Sequence, residues 1–323
     1  MSEAGDKVLC VGLCCLDIVM FCKSYPLEDS DQRCLYHRWQ RGGNASNNCT
    51  IFAEFKFPCE ILGTLSNDIG GQFMKKNFKE YGIPIDNCRV YEEYESPIST
   101  IWINLQNGSR TIVHSNKNMP EVSFDNFKNL NLRNYSWIHF ECRPQYDEMK
   151  KMIQFIRNYN SKNEEHSITI SIEIEKPNYK LLELVDLGDI VFISKDFASA
   201  CGFSCMLSAV ENLSSKLGPR ATVICAWGDQ GACAKTVDGE VVSSGAFPPP
   251  EIVCTLGAGD TFVAATIMAL CRKKSLAEAI KIGCQVAGAR CGMSDSKGLG
   301  KLFPSLFQEK LEEFEIFKEK LTD

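Results

Sequence analysis

The chain has 323 residues, of which 44% are hydrophobic and 24% charged, so it can form one large α/β domain with a core of ordinary size. Its formal net charge of −6 argues against nucleic acid or an anionic membrane as the main partner. No run of about 20 apolar residues predicts a membrane span. A local basic pocket could still bind phosphate, so the net charge does not decide the ligand.

Cysteine is unusually common, with 17 residues spread along the whole chain. No CxxC pair is followed by a second pair at zinc spacing, so no metal site is predicted from these residues. Residues 1–7 are polar, and the apolar run at 8–11 is too short for a secretory signal. We therefore expect reduced thiols, mostly acting as small buried side chains, in a cytoplasmic protein.

The first half of the chain carries two kinds of pattern. Residues 8–12 predict a buried strand, and residues 42–47 predict a loop that leads into a helix. Two β-rich segments at 98–105 and 110–114 are joined by Asn107-Gly108, which predicts a hairpin. With the segment before residue 41, these strands predict a small β lid outside the main sheet, spanning about 13–41 and 97–116.

From residue 137 onwards, strands alternate with helices, which predicts a mostly parallel sheet with helices on both faces. We interpret residues 1–323 as one domain of this α/β class. The tail at 300–323 is predicted to be an amphipathic helix that packs on the surface of the domain.

The segment Thr255-Leu256-Gly257-Ala258-Gly259-Asp260-Thr261-Phe262 is the most informative part of the sequence. Small residues before an apolar run place backbone amides at a helix N-terminus, where they can bind an anion. Asp260 would then accept a proton from an attacking hydroxyl, while the amides of Gly257, Ala258 and Gly259 stabilise the transferring group. The alternative is an ordinary helix start with a stabilising acid. The segment lacks the lysine of a Walker A loop and does not match GxGxxG.

The same segment resembles the signature of the ribokinase-like (PfkB) carbohydrate kinases. Residues 38–47, Arg-Trp-Gln-Arg-Gly-Gly-Asn-Ala-Ser-Asn, resemble the sugar-binding motif of that family. The resemblance implies a three-layer ribokinase-like sandwich, with ATP and Mg²⁺ as cofactors. Further segments resemble the family members that phosphorylate ketohexoses, which implies transfer to the 1-hydroxyl of D-fructose.

Residue roles follow from this resemblance. Asp17, on the turn after the first strand, would bind sugar hydroxyls, together with Gly43, Asn44 and Asn47 at the helix start. Asp29, in the lid segment, would reach the sugar of its own or a neighbouring subunit. Carboxylates and amides can each take paired hydroxyls, which suits a polyol. The alternative role for each asparagine is a cap or turn.

The resemblance also implies an ATP site. Arg110 would meet the phosphates, and a loop after the strand at 222–226 would contact the nucleotide through Gly228, Asp229, Gln230 and Gly231. Mg²⁺ would be held mainly by phosphates and water, with Glu173 or Glu175 nearby at most. Phe247 to Pro250 and Cys284 to Ala287 would flank the adenine.

Two positions depart from the family pattern. Cys254 replaces an aspartate that commonly helps to seat a monovalent cation, so we do not expect a full K⁺ site and expect weaker activation by K⁺. Cys142 stands where a glycine is usual, near the expected sugar pocket. A different sugar or nucleoside kinase, or a non-catalytic sugar-binding regulator, therefore remain as alternatives. Lid strands would present edges, and pairing them predicts a homodimer.

Overall fold

The computed structural model describes residues 5–176, 182–216 and 221–306. Of the predicted tail helix, the structure describes only the beginning, which contains a short 3₁₀ turn at Leu299–Leu302. The rest of that prediction, from residue 307, lies outside the described residues.

A central sheet of eight strands forms the middle layer of the protein. Six neighbouring strands are parallel to one another, and the two strands at one edge are joined to the sheet by antiparallel pairing. This confirms the predicted, mostly parallel sheet. In spatial order the strands are β14 (Val241–Ser244), β13 (Ala232–Lys235), β12 (Thr222–Ala226), β11 (Ile190–Ile193), β10 (Thr169–Ile174), β9 (Tyr135–Glu141), β1 (Lys7–Val11) and β4 (Cys59–Leu62).

Helices cover both faces of this sheet because each face is apolar and must be shielded from water. One buried cluster joins the sheet to α3 (Phe124–Phe127), α4 (Tyr146–Asn160), α5 (Leu182–Val185), α6 (Lys195–Ala200) and α7 (Met206–Lys216). A second cluster, on the other face, involves α1 (Asn44–Glu54), α2 (Ile69–Glu80), α8 (Ala258–Cys271) and α9 (Leu276–Cys291). The core is therefore divided between two layers, one on each face.

A second sheet of four strands stands outside the central sheet, as the hairpin signals predicted. We call it the lid sheet; its order is β3 (Tyr36–Gly42), β2 (Cys15–Cys22), β7 (Ile98–Asn104) and β8 (Arg110–Ser115). A short pair, β5 (Thr64–Ser66) and β6 (Arg89–Tyr91), forms a third sheet. Because β2 follows β1 almost directly, the lid sheet lies beside the carboxyl end of β1.

The inner face of the lid sheet has its own small core. Val19, Phe21, Ile101 and Ile103 are almost completely buried and pack against Cys254 and Leu256. The chain that leads into α8 is thus held between the lid sheet and the body of the domain. Across the described ranges, no helix combines the length and apolarity that a membrane span requires.

Candidate active site

A cleft of about 290 Å³ opens at the carboxyl edge of the parallel strands. Its floor comes from the ends of β9, β10, β11 and β12, and its sides from the lid sheet and the first turns of α1 and α8. Ligands of open α/β sheets usually bind in the crevice outside the carboxyl ends of the strands. Most of the residues predicted from the sequence line this cleft: Asp17, Gly43, Asn44, Asn47, Arg110, Gly257, Gly259 and Asp260.

The glycine loop, residues 257–260, begins α8 as the sequence predicted. Gly257 has a φ of 77°, a left-handed conformation that favours glycine, and no side chain caps the helix there. The amide of Ala258 donates to the Thr255 carbonyl at 3.2 Å, and Ala258 does not line the cleft. The tight turn uses this amide internally, so of the three predicted residues Gly257 and Gly259 are the two that face the cleft.

Asp260 is only 8% exposed, and asparagines from α1 fix its position. Asn47 Nδ2 donates to Asp260 Oδ2 at 2.6 Å, and Asn48 Nδ2 donates to the Asp260 main-chain carbonyl at 2.9 Å. The predicted sugar ligand Asn47 therefore also orients the predicted base. The hydrogen bond from Asn47 goes to Asp260 Oδ2, so the second carboxylate oxygen, Oδ1, can make other contacts.

Further carboxylates from the strand ends surround this aspartate. Asn44 Nδ2 donates to Glu173 Oε1 at 3.2 Å and to Glu175 Oε2 at 2.9 Å. Glu141 Oε2 accepts from the amides of Leu13 and Ala45, both at 3.0 Å. We call Asp260, Glu141, Glu173 and Glu175 the acid cluster; Arg143 lies against it, with Nη1 3.3 Å from Glu141 Oε1.

Burial and mutual repulsion oppose ionisation in this acid cluster. Desolvation raises the pKa of both Asp260 and Glu173 well above the ordinary value, and the neighbouring carboxylates raise it further. The hydrogen bonds from Asn47 and Asn44 act in the opposite direction. Glu173 Oε2 is buried and has no hydrogen-bond partner among the residues that the structure describes. Arg143 and Lys176, which pair with Glu141 and Glu175, offset part of the negative charge of the four acids, and a bound cation would offset more of it.

No group of three or more His, Cys, Asp and Glu side chains in residues 5–176, 182–216 and 221–306 has the geometry of a metal centre. Glu173 Oε2 and Glu175 nevertheless offer the oxygen chemistry that Mg²⁺ prefers. The donor set fits a Mg²⁺ ion that takes its remaining ligands from a nucleotide and water.

Asp17 lies within strand β2 of the lid sheet, so its prediction as a turn residue was wrong. Because β2 starts four residues after β1 ends, the aspartate still reaches the cleft. Cys15 Sγ donates to Asp17 Oδ1 at 3.5 Å, and a Cβ at Gly42 would lie 2.2 Å from that same oxygen. Glycine is thus required beside this carboxylate. Burial raises the Asp17 pKa to about 6.

Other predicted residues lie in different surroundings. Arg110 lines the cleft, with Nη1 donating to Thr255 Oγ1 at 3.3 Å. Residues 228–231 follow β12 as predicted but do not line this cleft, and Asp29 is exposed in the loop between β2 and β3, also outside its lining. Cys142, expected near the sugar pocket, lies between the cleft residues Glu141 and Arg143, and it packs against the core on one face of the sheet.

Several cleft residues were not predicted as site residues from the sequence. They are Cys15, Ser99, His114, Glu141 and Arg143. Glu141 stands at the end of β9, and a polar residue ending a buried apolar strand is a signal that could have identified it. Ser99 and His114 carry no such signal, because their position depends on the pairing of β7 with β8.

Comparison with known proteins assigns a family to this arrangement. Residues 6–297 match the model of the pfkB family carbohydrate kinases. The chain belongs to the PfkB family of carbohydrate kinases. It is 41% identical over 294 residues to a ketohexokinase of Mus musculus, covering 91% of this chain and 98% of that protein. A 1-phosphofructokinase of Borreliella burgdorferi is 25% identical, over 79% of this chain and 82% of its own length.

Solved structures agree with the ribokinase-like fold. A Giardia lamblia ribokinase superposes with a TM-score of 0.80 at 18% identity, covering 93% of this chain and 98% of that chain. An Arabidopsis thaliana ribokinase complexed with ribose and ATP gives a TM-score of 0.72 at 21% identity, over 95% and 100% of the two chains. The predicted family and fold class are confirmed, and the chain is a carbohydrate kinase.

The raised pKa of Asp17 predicts a cost to stability. An acid whose pKa rises from 3.8 to about 6 on folding destabilises the folded state above pH 6, and this cost disappears as the pH falls towards 4. Asp17→Asn should therefore raise the free energy of unfolding at pH 8 by on the order of 2 kcal/mol. At pH 4 the gain should be close to zero, as measured by urea unfolding.

The exposed Asp86→Asn serves as the control and should change stability little at either pH. A loss of stability in Asp17→Asn that is equal at pH 8 and pH 4 would contradict this account of the site.

Proposed function

We propose that this kinase transfers the γ-phosphoryl group of ATP to the 1-hydroxyl of D-fructose. The similarity to mouse ketohexokinase over nearly its whole length supports the substrate. The observation that carries the chemistry is the position of Asp260, which faces the same cleft as Asp17, Asn44 and the glycine loop. One pocket thus combines polyol-binding groups, a base and an anion-binding helix start.

In this proposal the sugar lies between the lid sheet and α1. Asp17 accepts hydrogen bonds from sugar hydroxyls, and Asn44 and Asn47 hold others at fixed angles, because their amides are already oriented by carboxylates. The 1-hydroxyl faces Asp260 Oδ1. A small displacement of the sugar would slow the transfer, since the attacking oxygen must be in line with the γ-phosphorus.

Asp260 takes the hydroxyl proton as the oxygen attacks the γ-phosphorus. A new oxygen–phosphorus bond forms, the bond to the β-phosphate oxygen breaks, and the electron pair leaves with ADP. Backbone amides of the glycine loop and the start of α8 stabilise the negative charge on the transferring group. A raised pKa suits a catalytic base, because it brings the pKa of Asp260 closer to the pH at which the enzyme works.

ATP occupies the part of the cleft near Arg110, whose guanidinium group stabilises phosphate charge. Mg²⁺, bound with the nucleotide, supplies positive charge near Glu173 and Glu175 and neutralises phosphate oxygens. Residues 228–231 and the adenine-flanking segments contact the base and ribose outside this cleft. The lid sheet excludes water, which limits hydrolysis of ATP.

The substrate assignment is tested by measuring ADP release with D-fructose, tagatose, ribose and adenosine, each with and without K⁺. We expect the highest kcat/KM for D-fructose and a small effect of K⁺, since Cys254 offers no carboxylate. A product identified as fructose 1-phosphate by NMR completes the test. Preference for ribose or adenosine, or saturable sugar binding without phosphoryl transfer, would refute the proposal.

Asp260→Asn tests the catalytic base. Because the amide cannot accept the proton, turnover should fall by about 10² or more, while calorimetric binding of D-fructose remains. Asp196→Asn is the matched control, since Asp196 also stands in the first turn of a helix but is exposed on α6. Turnover of Asp260→Asn near that of wild type would exclude this role.

We also propose a cytoplasmic homodimer that associates through the lid sheet. The outer strands β3 and β8 present unpaired edges, and Tyr36 and Val113 are 50% and 57% exposed there. No disulfide bond joins any of the 17 cysteines, all of which lie in described ranges, and this fits a reducing compartment.

Light scattering at micromolar concentration should give the mass of a dimer. Val113→Asp should shift the protein towards monomer, because it places a charge at the interface. Val237→Asp, at a valine that is 47% exposed in the hairpin between β13 and β14, should leave the mass unchanged. A monomeric wild-type protein would contradict the proposed dimer.

A further inference from the structure

A second cavity lies behind the glycine loop, on the side away from the acid cluster. Its volume is about 170 Å³, and we call it the rear cavity. It shares Asn47, Leu256 and Gly257 with the main cleft, so only the glycine loop and the start of α1 separate the two. Besides neutral polar side chains, its lining contains four cations: Arg38, Arg41, Arg290 and Lys297.

Arg290, near the C-terminus of α9, is 3% exposed, and its bonds go to neutral oxygens. Nη1 donates to the carbonyls of Cys254 at 3.4 Å and Met293 at 2.9 Å, and Nε donates to Ser296 Oγ at 3.1 Å. The chain entering the glycine loop is thereby tied to a buried positive charge. Burying such a charge beside neutral partners alone is costly.

Arg41, at the end of the lid strand β3, is in the same situation. It is 4% exposed, and its guanidinium group donates to Ser46 and Thr50 of α1 and to Asn77 of α2. The group also stacks 3.9 Å from the centre of the Phe78 ring. Within the described ranges, neither Arg41 nor Arg290 forms an ion pair with a carboxylate.

The rim of the rear cavity adds two more cations and one acid. Arg38 Nη2 donates to the Ser294 carbonyl at 2.7 Å, and Lys297 is exposed beside it. Asp295 is the acid among the described residues that line the cavity. The lining thus has four cationic side chains and one carboxylate, which leaves an excess of positive charge around the rear cavity. The cationic side chains also supply N–H donors.

We propose that the rear cavity is a binding site for a tetrahedral oxyanion of the phosphate class, separate from the site of phosphoryl transfer. An oxyanion supplies the negative charge that the two buried guanidinium groups lack, and planar guanidinium groups suit phosphate oxygens. A water molecule takes about 30 Å³ of the liquid, so the cavity holds such an ion with some water. Its occupant would contact the rear of the loop that carries Asp260.

The experiment first locates the bound oxyanion and then substitutes charged residues at the rim of the rear cavity. Crystals soaked with selenate, with the main cleft filled by D-fructose and a non-hydrolysable ATP analogue, should show an anomalous peak among Arg38, Arg41 and Arg290. In solution, calorimetry with inorganic phosphate under the same saturation should detect one binding site. Both measurements report binding rather than turnover, and the ATP analogue alone occupies the phosphate-binding part of the main cleft, so a failure here is distinguishable from a failure of the proposed sugar substrate.

Charge substitutions at the rim should shift phosphate affinity in opposite directions. At low salt, Lys297→Gln should weaken binding by about fivefold and Asp295→Asn should strengthen it by about the same factor. Both side chains are exposed, so the fold should tolerate these changes. Lys281→Gln, an exposed lysine of α9 outside the cavity, is the matched control and should have no effect.

Three results would overturn the proposal. They are selenate density confined to the main cleft, no phosphate binding once that cleft is filled, and equal affinity in wild type, Lys297→Gln and Asp295→Asn.

Discussion

The burial of the Asp260 carboxylate beside other acids is the constraint around which this site is organised. A buried carboxylate loses hydration, and nearby carboxylates add repulsion, so the folded protein must offset both. It does so with amide donors from α1 and not with lysine or arginine at Asp260 itself. An amide orients the carboxylate without neutralising it, which leaves the group able to accept a proton.

The same constraint explains why the site draws on both sheets. The strand ends of the central sheet supply Glu141 and Glu173 from mostly buried strands. The lid sheet supplies Asp17 and Arg110, and its core packs directly against Cys254 and Leu256. A movement of the lid sheet would therefore reach the glycine loop through packed side chains. The position of the lid sheet and that of the loop carrying Asp260 are linked by this contact.

Much of this organisation could be predicted from local patterns. Asn107-Gly108 between β-rich segments predicted the hairpin of β7 and β8, and the small residues before an apolar run predicted the start of α8. Both features depend on neighbours in the sequence. The cleft positions of Asp17 and Asn47 were predicted through family resemblance, because residue type alone does not distinguish a ligand from a turn or cap.

Other features depend on contacts between distant residues and could not be predicted. The bond from Asn47 to Asp260 spans 213 positions, and the bonds from Asn44 to Glu173 and Glu175 span 129 and 131. The Ala258 amide was expected to face the ligand because small residues before an apolar run predicted free amides at a helix N-terminus. This amide instead donates to the Thr255 carbonyl and closes the turn. This hydrogen bond depends on the backbone geometry, which residue type does not reveal.

The glycine loop lies between charges of opposite sign. The acid cluster faces it across the main cleft, whereas Arg41 and Arg290 lie behind it around the rear cavity. The excess of positive charge around the rear cavity offsets part of the negative charge that the acid cluster places near the loop. A loop of small residues suits this position, because it lets charged side chains approach the backbone closely from both sides.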